Sequence, residues 1–295
     1  MDKKKLFARL GIFVIGLPLV LFIVFLKAHA HLPLHITICL VSCIASNELY
    51  TIISKKIKLL PRLFINILSA VIPLVAAIYE VVPTFTGYES AITSEVVTYT
   101  LIAAFLAILS AEVFSATTFS DSTLRIAACS FIVLYTGYLL TFISRMAVFS
   151  IGLRDISTPV LAIFLLMVFL CDSFAWFFGV LFGKNNKGFI KASPNKSLAG
   201  FIGGFIGSIT AGLIGFFVWG DIFVGSPVKI FFMSILIAFA SIVGDLAESI
   251  FKRSSGIKDS GSIVPGRGGI LDSIDSILMA APVYYLLFNL LYRPF

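Results

Sequence analysis

A chain of 295 residues that is 59% hydrophobic and only 13% charged, with a mean hydropathy of +1.06, carries more apolar surface than one soluble core can hide; soluble domains average about 25% charged residues. The formal net charge of +7 raises nucleic acid as a partner for a soluble protein. Here the cations fall between apolar runs, where they set topology and attract anionic headgroups, so nucleic acid is excluded and membrane lipid takes its place.

The bilayer is therefore the solvent, and the predicted class is all-α, a polytopic integral membrane protein of about nine transmembrane helices. Runs long enough to cross lie near 7–27, 33–53, 63–82, 95–115, 124–146, 157–182, 199–219, 226–247 and 271–291. The first has a basic start and an apolar run of about 18 residues with no small-x-small site after it, and reads as a span, not a cleavable signal. Pro61, Pro83, Pro159 and Pro227 fall near boundaries, as breakers should. The least marked break lies between Arg145 and Asp155.

With the N-terminus cytoplasmic, all of the 22 Lys and Arg except Lys27, Arg145, Arg154, Lys229 and Arg293 fall in cytoplasmic segments. Nine spans then put the C-terminus on the opposite side. The natural division is an N-terminal helical scaffold over 1–155 and a catalytic region over 156–295 with two cytoplasmic loops, 183–198 and 251–270. No internal repeat of the transporter kind stands out. Cys39, Cys43, Cys129 and Cys171 lie inside apolar runs and read as small core hydrophobes, not disulfides. His29, His31 and His35 read as an exterior loop at the outer end of the first span.

The two cytoplasmic loops are rich in Gly, Ser, Lys and Arg, which supply the backbone N–H groups and cations that phosphates need. Carboxylates flank them: Asp172 in the sixth span, Asp245 and Glu248 at the end of the eighth, Asp272 and Asp275 at the start of the ninth. Each pair is spaced three apart and shares a helix face. Acids so gathered repel unless a cation binds between them, and hard oxygen donors suit Mg²⁺. The plainer alternative is helix capping by Asp272 and Asp275. Glu48 and Glu112, near the cytoplasmic ends of their spans, read as snorkelling acids, as partners for a loop cation, or as members of the site. No histidine lies near either loop, and there is no P-loop or nucleophile elbow. The residues alone reach phosphoryl or nucleotidyl transfer at the membrane surface and stop there.

From Ser249 the second loop reads SIFKRSSGIKDSGSIVPGRGGILDSID. This resembles the signature of the phosphatidate cytidylyltransferases, also called CDP-diacylglycerol synthases: S-x-x-K-R, K-D, P-G-H-G-G and D-R-x-D. Ser249, Lys252, Arg253, Lys258, Asp259, Pro265, Gly266, Gly268, Gly269, Asp272 and Asp275 match in register. Gly244-Asp245-Leu246 with Glu248-Ser249, Asp172-Ser173-Phe174-Ala175 with Gly179 and Gly183-Lys184, and Ser193-Pro194-Asn195-Lys196-Ser197 resemble three further family segments. The likeness covers roughly 165–295; in the N-terminal half only Asn47-Glu48 stands where the family has a W-E pair. Arg267 replaces the family His, Ser273 the Arg of D-R-x-D, and Ala199 a Glu. The first two read as one exchange, the cation lost at 273 returning at 267.

The resemblance implies that CTP and phosphatidate give CDP-diacylglycerol and pyrophosphate. It implies Mg²⁺ on Asp245, Asp272 and Asp275, with a second cation left open. Lys252, Arg253, Lys258 and Asp259 complete the catalytic set. Asp172, Lys184, Ser193, Lys196, Ser197, Glu248, Ser249, Gly266, Arg267, Gly268 and Gly269 are implied to bind substrate. Residues alone leave two rivals: a CTP-dependent kinase of a polyprenol- or phytol-type lipid, and an ion-coupled transporter. A homodimer is allowed, and the expected location is a bacterial inner membrane with the site facing the cytoplasm.

Overall fold

The computed structural model describes residues 16, 18–86, 95–264 and 268–292. Among these, eight helices are long and apolar enough to cross a bilayer. The protein is thus a polytopic helical membrane protein, as its composition requires. Of the expected span 7–27, residues 18–25 are helical, and most of the rest lies outside the described residues.

The crossing helices are α1 (Ala28–Ile53), α2 (Arg62–Thr86), α3 (Val96–Ser115), a rod of α4 (Ser122–Ile132), a π-helical segment (Val133–Tyr138) and α5 (Thr141–Met146), then α6 (Ser157–Phe182), α7 (Leu198–Val218), α8 (Pro227–Ser254) and α9 (Leu271–Tyr292). A two-residue antiparallel ladder, β1 (Ser150–Ile151) with β2 (Arg154–Asp155), fills the weakly marked break after Arg145. Pro227 opens α8 and Pro159 sits in the first turn of α6, positions where a missing N–H costs nothing. Pro83 lies instead inside the last turn of α2.

The chain divides into two compact units, residues Met1–Val148 with Ser254–Ser273, and Phe149–Arg253 with Ile274–Phe295. The signature segment 254–273 thus groups with the N-terminal helices.

In the first unit α1 and α2 run antiparallel along a polar seam. The Ser42 hydroxyl donates to the Ser69 carbonyl at 3.1 Å, Ser46 to Asn66 Oδ1 at 3.0 Å, and Tyr50 to the Leu60 carbonyl at 2.9 Å. Such bonds replace a hydrophobic drive that lipid cannot supply. Arg125 closes the same end: Nε donates to the Lys58 carbonyl and Nη1 to Glu112 Oε1 at 2.8 Å. Glu112 is therefore paired with a cation, though one in the first turn of α4 and not in a loop. The exterior-loop reading of the histidines fails for two of them. His31 and His35 are buried; the chain is kinked at His29, Ala30 and His31, where φ is positive.

In the second unit α7 lies against α6 on a face of Gly200, Gly203, Gly204, Gly207 and Gly215. A Cβ on Gly200, Gly203 or Gly207 would strike a backbone carbonyl of α6. At one end an aromatic core of Phe164, Phe223, Tyr284 and Phe288 is fully buried, with the Tyr284 hydroxyl on the Val160 carbonyl. At that end Arg154 pairs with Asp221, and the guanidinium holds the Asp221 carboxyl below the usual carboxylate range.

Candidate active site

In the first unit the signature loop is organised by two carboxylates. Asp272 Oδ2 accepts from Ser260 N at 2.9 Å, Ser260 Oγ at 2.8 Å and Gly269 N at 2.7 Å. Glu48, on α1, reaches the same place: Oε1 accepts from Ile270 N at 3.0 Å, and Oε2 from Leu271 N at 2.8 Å and Ser260 Oγ at 3.2 Å. These N–H groups precede or open α9, where a helix leaves donors unsatisfied. The capping role weighed for Asp272 is therefore real, and Glu48 shares it.

Glycine is needed here for space. A side chain on Gly261 would meet Glu48, and one on Gly269 would collide with Ser260 and Glu48. Gly268 has φ +120°, and a Cβ there would collide with Asp272. Val264 and Gly268 exchange backbone hydrogen bonds of 2.8 and 3.0 Å. Pro265, Gly266 and Arg267 lie outside the described residues. Lys258 and Asp259 are exposed.

The second unit holds four more of the candidate acids, Asp172, Asp245, Glu248 and Asp275. Gly244 lets α8 approach α9 so closely that a Cβ would strike the Asp275 carbonyl, and the next residue is Asp245. Asp245, Glu248 and Asp172 all lie within electrostatic reach of Asp275. Asp275 and Glu248 are buried, 6% and 1% exposed. Ser276 joins two of them, its N–H on Asp275 Oδ1 at 2.6 Å and its hydroxyl on Asp172 Oδ1 at 3.4 Å. Asp245 pairs with Lys196, and Glu248 with Lys252 at 2.6 Å. Lys252 and Arg253 occupy the last turn of α8, where cations complement the helix dipole. Ser249 is half-buried one turn earlier.

The loop 183–198 belongs to this unit. Ser197 caps α7, its hydroxyl accepting from Gly200 N at 3.1 Å. Asn186 closes the loop, its carbonyl accepting from Leu198 N at 3.0 Å. Lys184 is exposed and Ser193 half-exposed. Asn186 escaped the sequence reading because one Asn among loop polars carries no spacing signal. Glu48 was visible as a candidate but its partners were not.

Of the expected metal ligands, Asp245 and Asp275 fall in the second unit and Asp272 in the first. Among the described residues, no three His, Cys, Asp or Glu side chains are grouped closely enough to hold an ion as they stand.

Similar proteins are known. Over 172 residues the chain is 35% identical to the phosphatidate cytidylyltransferase of Thermotoga maritima, covering 56% of this chain and 60% of that one. It is 41% identical over 121 residues to that of Haemophilus influenzae, 40% of this chain and 42% of that one. It is 41% identical over 128 residues to that of Helicobacter pylori, 43% and 46%. The chain thus spans about half the length of the relatives it matches. The profile of the Cytidylyltransferase family matches much further, over residues 7–291, and the chain belongs to the Cytidylyltransferase family.

Proposed function

We propose that this protein transfers the cytidylyl group of CTP to phosphatidate, giving CDP-diacylglycerol and pyrophosphate. The signature Ser249–Asp275 carries the reading. Its acids, cations and glycines stand at the ends of crossing helices, where a lipid keeps its acyl chains in the apolar phase while its phosphate meets polar groups. The names of the three relatives support the same substrates.

A phosphate oxygen of the lipid attacks the α-phosphorus of CTP. The bond from that phosphorus to the bridging oxygen breaks, and pyrophosphate leaves with the electron pair. The lipid phosphate is largely ionised at neutral pH, so no general base is required, in keeping with two loops that contain no histidine. The barrier is repulsion between anions. Lys252, Arg253, Lys258 and Arg267 are assigned to lower it at the signature loop, and Lys184 and Lys196 at the other, with Ser193, Ser197 and Ser249 as phosphate donors. Gly266, Gly268 and Gly269 are assigned to let the nucleotide approach the backbone closely. Asp259 is assigned to the catalytic set beside Lys258.

The acids fit a hard divalent cation by donor type and by charge. In the second unit Asp245, Glu248 and Asp172 each act on Asp275 electrostatically, and Lys196 and Lys252 pair with Asp245 and Glu248. We assign Mg²⁺ to Asp245 and Asp275, with Asp272 added on its three-residue spacing from Asp275; bound there, the ion supplies charge neutralisation for the triphosphate and the leaving pyrophosphate. The site is assigned to the cytoplasmic face of a bacterial inner membrane.

Membranes carrying the protein should convert labelled CTP and phosphatidate to a CDP-lipid plus pyrophosphate, with dependence on Mg²⁺. Asp272→Asn should cut the rate by about 10²–10³. A wild-type product of CDP and a phosphorylated lipid, or no nucleotide turnover at all, would sink the proposal.

A further inference from the structure

Glu48 lies 212 residues before Ser260 and 223 before Leu271, on a helix outside the signature. It is 5% exposed, both of its oxygens accept from backbone N–H groups, those of Ile270 and Leu271, and the Ser260 hydroxyl, closer to Asp272, stands 3.2 Å away. So committed, it is a poor ligand for an ion or a substrate. What it touches is the hinge of the signature, the residues between the glycine turn and the first acid of α9. Ser260 is shared, its hydroxyl standing between Glu48 Oε2 and Asp272 Oδ2. Gly261 and Gly269 are the close neighbours on either side, and neither position admits a side chain.

We propose that Glu48 is a positioning residue: from α1 it caps the start of α9 and, together with Asp272, fixes Ser260 and Gly269–Leu271 of the signature loop. The clamp stands on geometry alone; that the clamped loop serves cytidylyl transfer rests on the function proposed above. The N-terminal helices then contribute to the chemistry by holding the signature in place.

Glu48→Gln tests it, because the amide nitrogen presents a donor where the carboxylate accepted. Intact protein in lipid nanodiscs is treated with trypsin, and cleavage after exposed Lys258 is compared with cleavage after exposed Lys187 and Lys191 in the other loop. Cleavage after Lys258 should quicken by about tenfold or more, with the other loop unchanged. The kcat should fall by about 10- to 100-fold and KM for CTP should move less. Glu48→Asp, which keeps the charge, should recover part of both. Wild-type cleavage and wild-type kcat in Glu48→Gln would overturn the proposal. Should Glu48→Gln unfold and expose both loops alike, Ser260→Ala decides: selective opening at Lys258 upholds the clamp, and a wild-type pattern overturns it. If the wild-type protein makes no CDP-lipid, the functional reading fails while the cleavage comparison still decides the clamp.

Discussion

Ser260 shows how much one small residue settles. Its N–H and hydroxyl both bind Asp272, and the same hydroxyl stands within reach of Glu48. Two carboxylates so near repel, and the opposing force comes from four backbone N–H groups, those of Ser260, Gly269, Ile270 and Leu271. Charge-assisted bonds of this kind contribute about 1.5–3 kcal/mol each. Gly268 beside them is constrained twice, by φ +120° and by Asp272. Gly268→Ala should therefore lower CDP-lipid formation by about 10². Gly256 also has positive φ, +70°, but nothing lies within 4 Å of its Cβ position. Gly256→Ala should cost only about 1–2 kcal/mol of backbone strain and leave the rate near wild type. Equal losses in the two variants, measured under the same assay, would refute the assignment of Gly268 to a spatial role.

Among the elements, α6 and α7 are held together by absence of side chains. Lipid supplies no hydrophobic drive between helices, so close backbone approach and dispersion must do the work. The glycine face of α7 provides it, with Gly207 against the Leu170 carbonyl. Gly207→Leu should overpack this seam and cost at least about 1–3 kcal/mol, read as a lower midpoint of thermal unfolding in detergent. Ile206→Leu, next along the helix but exposed, should leave the midpoint unchanged. The spacing of these glycines is plain in the sequence, yet what they face is not. A small-residue stripe states that something packs closely and leaves open which helix does so. The acids show the same limit. Spacing put Asp245 with Glu248 and Asp272 with Asp275 on shared faces, and Gly244 is the contact that lets α8 and α9 of the second unit meet at Asp275.

For the whole molecule, the parity of the helices agrees with the order of the loops within each unit. In the first, Arg125 in the first turn of α4 bonds the carbonyl of Lys58, in the loop between α1 and α2. In the second, Lys196 and Asp245 meet at one end and Arg154 and Asp221 at the other. On the distribution of basic residues we propose that the first of those ends faces the cytoplasm. In a background lacking the four native cysteines, Lys187→Cys should react with an impermeant thiol reagent only from the cytoplasmic side, and Asp221→Cys only from the other. The reverse pattern would invert the topology. The sequence by itself determined the apolar solvent, the helical class, the existence and order of the last eight spans, and the signature in register, because each of these rests on local composition or spacing; some span ends, such as that of α8 at Ser254, it placed several residues short. The tertiary structure alone decided that segment 254–273 packs with the N-terminal helices, that Glu112 belongs to Arg125, and that Glu48 belongs to the signature loop. Those are contacts between residues far apart in the chain. A lone glutamate in a greasy helix carries no mark of its partner until folding brings the partner's N–H groups to it.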